Sequence, residues 1–334
     1  MQFKQIAPYR KEKVFRFINI AIRIATLVAV ALFIYMKLEE QSVSFENTWS
    51  ELQSVFNRGS IWIIAFILLL MLANWLAEAW KWKVVAAKIE KLSIWKALKG
   101  VLTGLSLGFV TPHSWGDYAG RIWQMEEKNR EKALGGILLS RGAQLAITLI
   151  FGLPGFFYLL SNSGNITPGA DNLFLFLCVV FAIITPLCII YIGNISSWLG
   201  IFLSQFKWYS FMEVLTHFSS KDSLQLLAIS LLRYLIFSAQ FLIVLLLFNV
   251  DLPIEILSMG IGFIFLAKSV IPAFNFLSDL GVREFSALLF FDTTGVDPLL
   301  IISASLFVWI VNILIPTIVG TTFVFSMKTI RTNG

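Results

Sequence analysis

Six apolar runs recur along this chain, at about 14–36, 60–80, 133–160, 172–192, 223–249 and 298–326. Each is around 20 residues or longer, and a helix of about 20 residues rises the roughly 30 Å of a bilayer's hydrocarbon core. Runs of this kind leave few folds open. In lipid every backbone N–H and C=O must be paired inside the protein, so a spanning segment is a helix or part of a closed barrel. A barrel would show alternating segments of roughly 10 residues, and none occur. Composition agrees, with 57% hydrophobic and 14% charged residues, against about 25% charged in a soluble domain. The expected fold class is an all-α polytopic membrane protein, one transmembrane domain over residues 1–334.

The basic residues orient it. Lys4, Arg10, Lys11, Lys13 and Arg16 precede the first run, and Lys81, Lys83, Lys88, Lys91, Lys96 and Lys99 follow the second. The N-terminus, 81–99, 126–132, 193–222 and 327–334 together hold 18 of the 26 Lys and Arg, and the opposite side holds Lys37 and Arg58. Cytoplasmic loops carry such an excess, so both termini are expected in the cytoplasm of a multi-pass protein of the cell (inner) membrane. No small-residue cleavage site follows Met36, so the first run is expected to stay as a span. In the acidic segment 37–58, Trp49, Leu52 and Phe56 fall at helical spacing, which reads as a short interfacial helix.

Several function classes drop out. The pI near 9.3 comes from topology signals and not from a nucleic-acid surface, so no nucleic-acid partner is expected. There is no Walker, dinucleotide or nucleophile-elbow motif, hence no expected cofactor. His113 and His217 lack further ligands at useful spacing, so no metal site is expected. Cys178 and Cys188 sit ten apart in one apolar run, about 15 Å along a helix, and read as small buried hydrophobes.

One stretch interrupts the pattern: GFVTPHSWGDYAGR, Gly108 to Arg121. Lys99 precedes it and Lys128, Arg130 and Lys132 follow it, so both flanks belong in the cytoplasm. About 26 residues, 98–124, leave and return, whereas two full crossings need roughly 40. The economical solution is a re-entrant hairpin turning at Thr111–Ser114, buried in protein or lining a wet cavity. Region 255–291 repeats the design, with acids at both ends and a break at Pro272. Aligning WGDYAGR with LSDLGVR superposes Asp117 on Asp279 and Arg121 on Arg283, an offset of 162. Each pair is i,i+4 with the acid first, the better order on a helix. Long spans flank both hairpins, and the offset contains an odd number of crossings. The expectation is therefore six full spans plus two oppositely oriented re-entrant hairpins. They form an inverted repeat: repeat 1 at about 60–160 with hairpin 98–124, repeat 2 at about 223–326 with hairpin 255–291. Secondary transporters are built on such plans.

The charges at membrane depth are Glu78, Asp117, Arg121, Arg141, Arg233, Lys268, Asp279, Arg283 and Glu284. Such residues cost about 2.5–3.5 kcal/mol on insertion scales and mark function by default. Guanidinium groups hold phosphate in two-point fashion, and inward-aimed helix N-termini favour anions. A structural reading stands beside this for Asp117–Arg121 and Asp279–Arg283, as caps and staples. Arg141 and Arg233 have no local acid; Glu78 and Glu284 are candidate partners, and the sequence does not decide between them.

At these residues the chain resembles the transmembrane region of lysylphosphatidylglycerol synthases, a family of flippase-like membrane proteins. The match rests on TPHSWGDYAGR, LLSRGAQL and SDLGVREFSALLFF, and covers about 15–328. Asp117 stands where the family's first motif more often has glutamate. In synthase members this region is joined to an aminoacyl-transfer domain and handles the modified lipid. The chain ends at Gly334, so a stand-alone lipid-handling protein is expected. The resemblance leaves the substrate open, and the leading reading of the buried charges beside it is a flippase or transporter for an anionic phospholipid or polyprenyl-linked lipid. Its phosphate would sit between the hairpins against Arg121 and Arg283, with Arg141, Arg233, Asp117, Asp279 and Glu284 completing the substrate site. No catalytic residue is assigned. The alternatives are a non-catalytic membrane partner of a lipid- or glycan-modifying enzyme and a membrane-embedded transferase.

Overall fold

The computed structural model describes residues 49–50, 53, 61–111, 115–162, 170–205, 209–271 and 276–326. The first apolar run, most of the interfacial segment at 37–58 and both hairpin tips beyond Thr111 and Ile271 lie outside them. Among the described residues the chain is helical throughout, with no strands. The helices are α1 (Ile61–Ala86), α2 (Ile94–Val110), α3 (Trp115–Trp123), α4 (Arg130–Asn162), α5 (Ala170–Ile190) and α6 (Ile192–Leu203). After helical turns at Ser210–Glu213 and Val214–His217 come α7 (Ser220–Leu247), α8 (Ile254–Val270), α9 (Phe276–Phe291), α10 (Pro298–Trp309) and α11 (Ile315–Ser326). Five helical stretches are long and apolar enough to cross a membrane: Ile61–Ala86, Glu127–Asn162, Asn172–Ile190, Ser220–Leu247 and Pro298–Phe325. They coincide with the second to sixth apolar runs. The protein is an all-α polytopic membrane protein.

The ends of these helices follow local chemistry. Ser93 caps α2 by accepting the Lys96 amide, and Ser219 and Asp222 form a reciprocal capping box on α7. Asp297 accepts the Leu299 amide at 2.9 Å ahead of Pro298 at the start of α10. Each satisfies an amide that has no intrahelical partner. Exposed Leu173, Phe176, Phe181 and Ile183 coat α5, a contiguous apolar surface suited to lipid and not to water. Segment 193–222, expected as a cytoplasmic loop, contains α6, whose Trp198, Ile201 and Phe202 are exposed. Cys178 and Cys188 are both unpaired.

Both interrupted regions are helical hairpins. In the first, α2 and α3 run antiparallel with their backbones almost touching. A Cβ on Gly120 would lie 2.2 Å from the Gly104 nitrogen, and one on Gly116 would lie 2.1 Å from the Leu107 carbonyl carbon. Only glycine permits that approach. Thr111 closes the turn, its hydroxyl donating to Leu107 O at 2.9 Å and accepting from Gly116 N at 2.8 Å. In the second hairpin Gly260 of α8 packs beneath Phe290 and Phe291 of α9. The α8 arm also seats against α4, where a Cβ on Gly155 would meet Met259 O at 2.1 Å and one on Gly262 would meet Phe151 O at 2.4 Å. Small residues are what let helices approach this closely without a hydrophobic drive between them.

The last span is not a uniform helix. A π-turn at Ile310–Leu314 separates α10 from α11, with Ile315 N–H bonded to Ile310 O. Its cause lies one residue further on. Pro316 has no N–H to give the carbonyl four residues back, that of Asn312, so the ladder widens. The Asn312 carbonyl instead accepts Trp75 Nε1 from α1 at 3.1 Å. The Asn312 side chain donates to Gln240 Oε1 at 2.8 Å, and Gln240 Nε2 donates to Ile67 O at 2.9 Å. These bonds tie α1, α7 and the α10–α11 span together.

Candidate functional site

Asn74, Glu78 and Lys81 lie at i, i+4 and i+7 of α1, one stripe on an otherwise apolar helix. That stripe faces inward. Arg233 on α7 donates through Nε to Asn74 Oδ1 at 3.1 Å and through Nη1 to Glu78 Oε2 at 2.5 Å. Lys81 Nζ reaches the same Oε2 at 3.1 Å and Gln144 Oε1 of α4 at 3.2 Å. Arg121 Nη2 takes the other Glu78 oxygen at 2.8 Å. Glu78 thus receives three cations from three helices.

Asp117 is the second carboxylate. Its Oδ1 accepts Arg121 Nε at 3.0 Å and its Oδ2 accepts Arg141 Nη2 at 2.6 Å. Arg121 therefore bridges the two acids, with its guanidinium 6.0 Å from the Trp82 ring centre. Arg141 lies 4.5 Å from the Tyr118 ring centre, close enough for the ring's negative face to favour the cation. Side-chain exposure is 2% for Lys81, 7% for Glu78 and Arg121, 17% for Arg233 and 44% for Arg141. Arg141 is the cation that faces open space.

These groups line a chamber of about 320 Å³. Its walls come from α1, α3, α4 and α7, from Gly104 and Gly108 of α2, from Asn312 and Ile313 of the π-turn, and from Lys268 near the tip of the second hairpin. An adjoining cavity of about 150 Å³ shares Arg233, Phe237 and Lys268 and extends to Tyr234 and Phe265. Among the described lining residues, two carboxylates face four cations, Lys81, Arg121, Arg141 and Arg233, before Lys268 is counted. Buried charges are stable when each has partners, and stripping a partner away is costly. The described lining carries more cations than carboxylates. No group of three or more metal-ligating side chains occurs among the described residues.

Of the expected substrate residues, Asp117, Arg121, Arg141 and Arg233 meet in this chamber. Arg283 and Glu284 do not line it. Arg283 Nη2 pairs with the adjacent Glu284 at 3.3 Å, and Glu284 accepts Ser305 Oγ of α10 at 3.0 Å. Arg121 and Arg283, expected on either side of one phosphate, therefore do not line the same chamber in this structure. Arg283 pairs with Glu284, which also holds Ser305, whereas Arg121 lines the chamber with Arg141, Arg233 and Lys81. Asp279 lies on α9, but its side chain is outside those described, and so is the expected Asp279–Arg283 pair. Lys81 requires a correction. Expected in the cytoplasmic basic cluster, it is buried, because α1 continues to Ala86 and carries it over Glu78. Asn74 and Gln144 were not anticipated, although the 74–78–81 spacing marks the stripe.

The fold and this chamber define a class: a polytopic helical membrane protein with a helical hairpin supplying charge to a buried, cation-rich cavity. Residues 19–320 match the profile of the family described as Lysylphosphatidylglycerol synthase TM region, and the chain belongs to that family. It is a multi-pass membrane protein of the lysylphosphatidylglycerol synthase and flippase-like kind. Comparison with curated proteins gives no match.

Proposed function

We propose that the protein receives the phosphate of an anionic lipid in this chamber and carries that lipid between the two leaflets. The observation that carries the reading is the surplus of guanidinium and ammonium over carboxylate inside a helical membrane domain. Arg141 meets the headgroup first, because it has the open face and a single carboxylate contact. Arg121 and Arg233 hold the phosphate more deeply, each already oriented by Glu78. Asp117 is the group that yields, releasing Arg141 as phosphate takes its place.

Alternating access is supported by the repeated order of long helix, hairpin and long helix: α1, α2–α3, α4 and then α7, α8–α9, α10. In this reading the two sets form an inverted repeat, and Asp279, Arg283 and Glu284 are the second repeat's counterpart to Asp117 and Arg121. The excess of Lys and Arg on one side supports an inner-membrane orientation with both termini cytoplasmic. A lipid- or glycan-modifying enzyme is the natural supplier or consumer of the lipid.

The test is movement of a labelled anionic lipid in vesicles holding the purified protein, alongside mass spectrometry of co-purifying lipid. Arg121→Ala with Arg141→Ala should abolish movement, while Lys96→Ala, at an exposed position, should leave it unchanged. Wild-type movement in the folded double variant would refute the site.

A further inference from the structure

We infer that the chamber is built for a lipid phosphate bearing two negative charges, a terminal phosphomonoester, and not for a singly charged phosphodiester or an aminoacylated lipid. The inference rests on the anionic-lipid reading above and narrows it.

The argument is charge balance at low exposure. Glu78 is shared by Arg121, Arg233 and Lys81, and Asp117 by Arg121 and Arg141. Among the described lining residues this leaves a surplus of two positive charges with Lys268 uncounted. Lys81 and Arg121 are nearly inaccessible to water, so solvent screens the buried part of this surplus poorly, whereas Arg141 keeps an open face. A phosphodiester headgroup supplies one negative charge and leaves the site positive. A phosphomonoester, whose second ionisation falls near pH 6, supplies two above neutrality and offsets the surplus of these four cations. Lys268 on the same wall adds a fifth cation, which also favours a second negative charge. Its three terminal oxygens also match guanidinium groups converging from α3, α4 and α7. Lysylphosphatidylglycerol, the product for which the family is named, carries two ammonium groups and one phosphate. It would add positive charge where positive charge is already in excess.

A phosphomonoester could come from a lipid or from free phosphate. The walls favour the lipid, because Trp75, Leu105, Phe237 and Ile313 line the same chamber as the charges. Phe237 and Phe265 stack at 4.8 Å along the adjoining cavity.

The experiment uses the full-length protein in detergent at pH 8 and compares short-chain phosphatidic acid with its phosphate monomethyl ester. The two ligands differ by one charge and one methyl group. The acid should bind at least about tenfold tighter, a ratio worth about 1.4 kcal/mol. Arg141→Gln should shrink the ratio to about threefold or less, while Arg141→Lys, which keeps the charge, should preserve it. Equal affinity of the two lipids would overturn the charge assignment and leave the anionic-lipid reading standing. Tighter binding of lysylphosphatidylglycerol than of phosphatidylglycerol would also overturn it. Absence of binding by every anionic lipid would sink both readings. Inorganic phosphate competing as well as phosphatidic acid would overturn the lipid source.

Discussion

The cation–carboxylate cluster around Glu78 makes a prediction that simple loss of contacts does not. Lys81 Nζ and Arg233 Nη1 touch the same Glu78 oxygen, at 3.1 and 2.5 Å, so the two nitrogens lie within about 6 Å of each other. Two unit charges at that separation repel by on the order of 3 kcal/mol at an effective dielectric near 20. Glu78 masks that repulsion. Glu78→Gln keeps the size of the side chain but removes the charge, leaving Arg121, Arg233 and Lys81 around a neutral amide. Breaking a buried ion pair from one side costs roughly 3–5 kcal/mol. Arg233→Gln should cost less, because Glu78 keeps Arg121 and Lys81. Combining the two removes one of the repelling cations, so the double variant should unfold no earlier than Glu78→Gln alone. The assay is thermal unfolding of purified protein in a mild detergent, followed by tryptophan fluorescence. Independent sites add within roughly 0.5 kcal/mol. A double variant whose loss equals the sum of the single losses would show that Glu78 does not bind these cations as one unit.

Further expectations follow from other parts of the molecule. Gly120→Ala places a methyl group 2.2 Å from backbone and should destabilise by more than about 2 kcal/mol. Gly295→Ala, at φ +71° with nothing within 4 Å, should cost only about 1 kcal/mol; the ordering of their unfolding midpoints is the check. Arg141→Ala should shift the midpoint little, since its side chain is 44% exposed, yet it should weaken anionic-lipid binding measured by native mass spectrometry. In a Cys178→Ser, Cys188→Ser background, a cysteine at Asn249 should react with an impermeant thiol reagent applied to intact cells, and one at Asn129 should not. Outside labelling at 129 would turn the first hairpin into a crossing.

Much of this molecule is legible in one dimension. Span positions follow from length and hydropathy, because a bilayer demands about 20 apolar residues per crossing. The break between α2 and α3 was readable from the proline-bearing interruption at Gly108–Arg121, and Asp117–Arg121 from helical spacing. Even the π-turn has a local cause in Pro316. The chamber was not readable in the same way. Arg233 finds Glu78 across 155 residues and Asn74 across 159, and no spacing rule links them. Arg283, matched by motif to Arg121, pairs with Glu284, while Lys81, grouped by sequence with the basic flank 81–99, is buried. Sequence decides which stretches are helices and which side chains share a stripe. The rotation of each helix about its own axis is decided by packing, here by glycine contacts that bring α2 against α3 and α4 against α8. That rotation alone determines which of the buried cations converge on a single cavity.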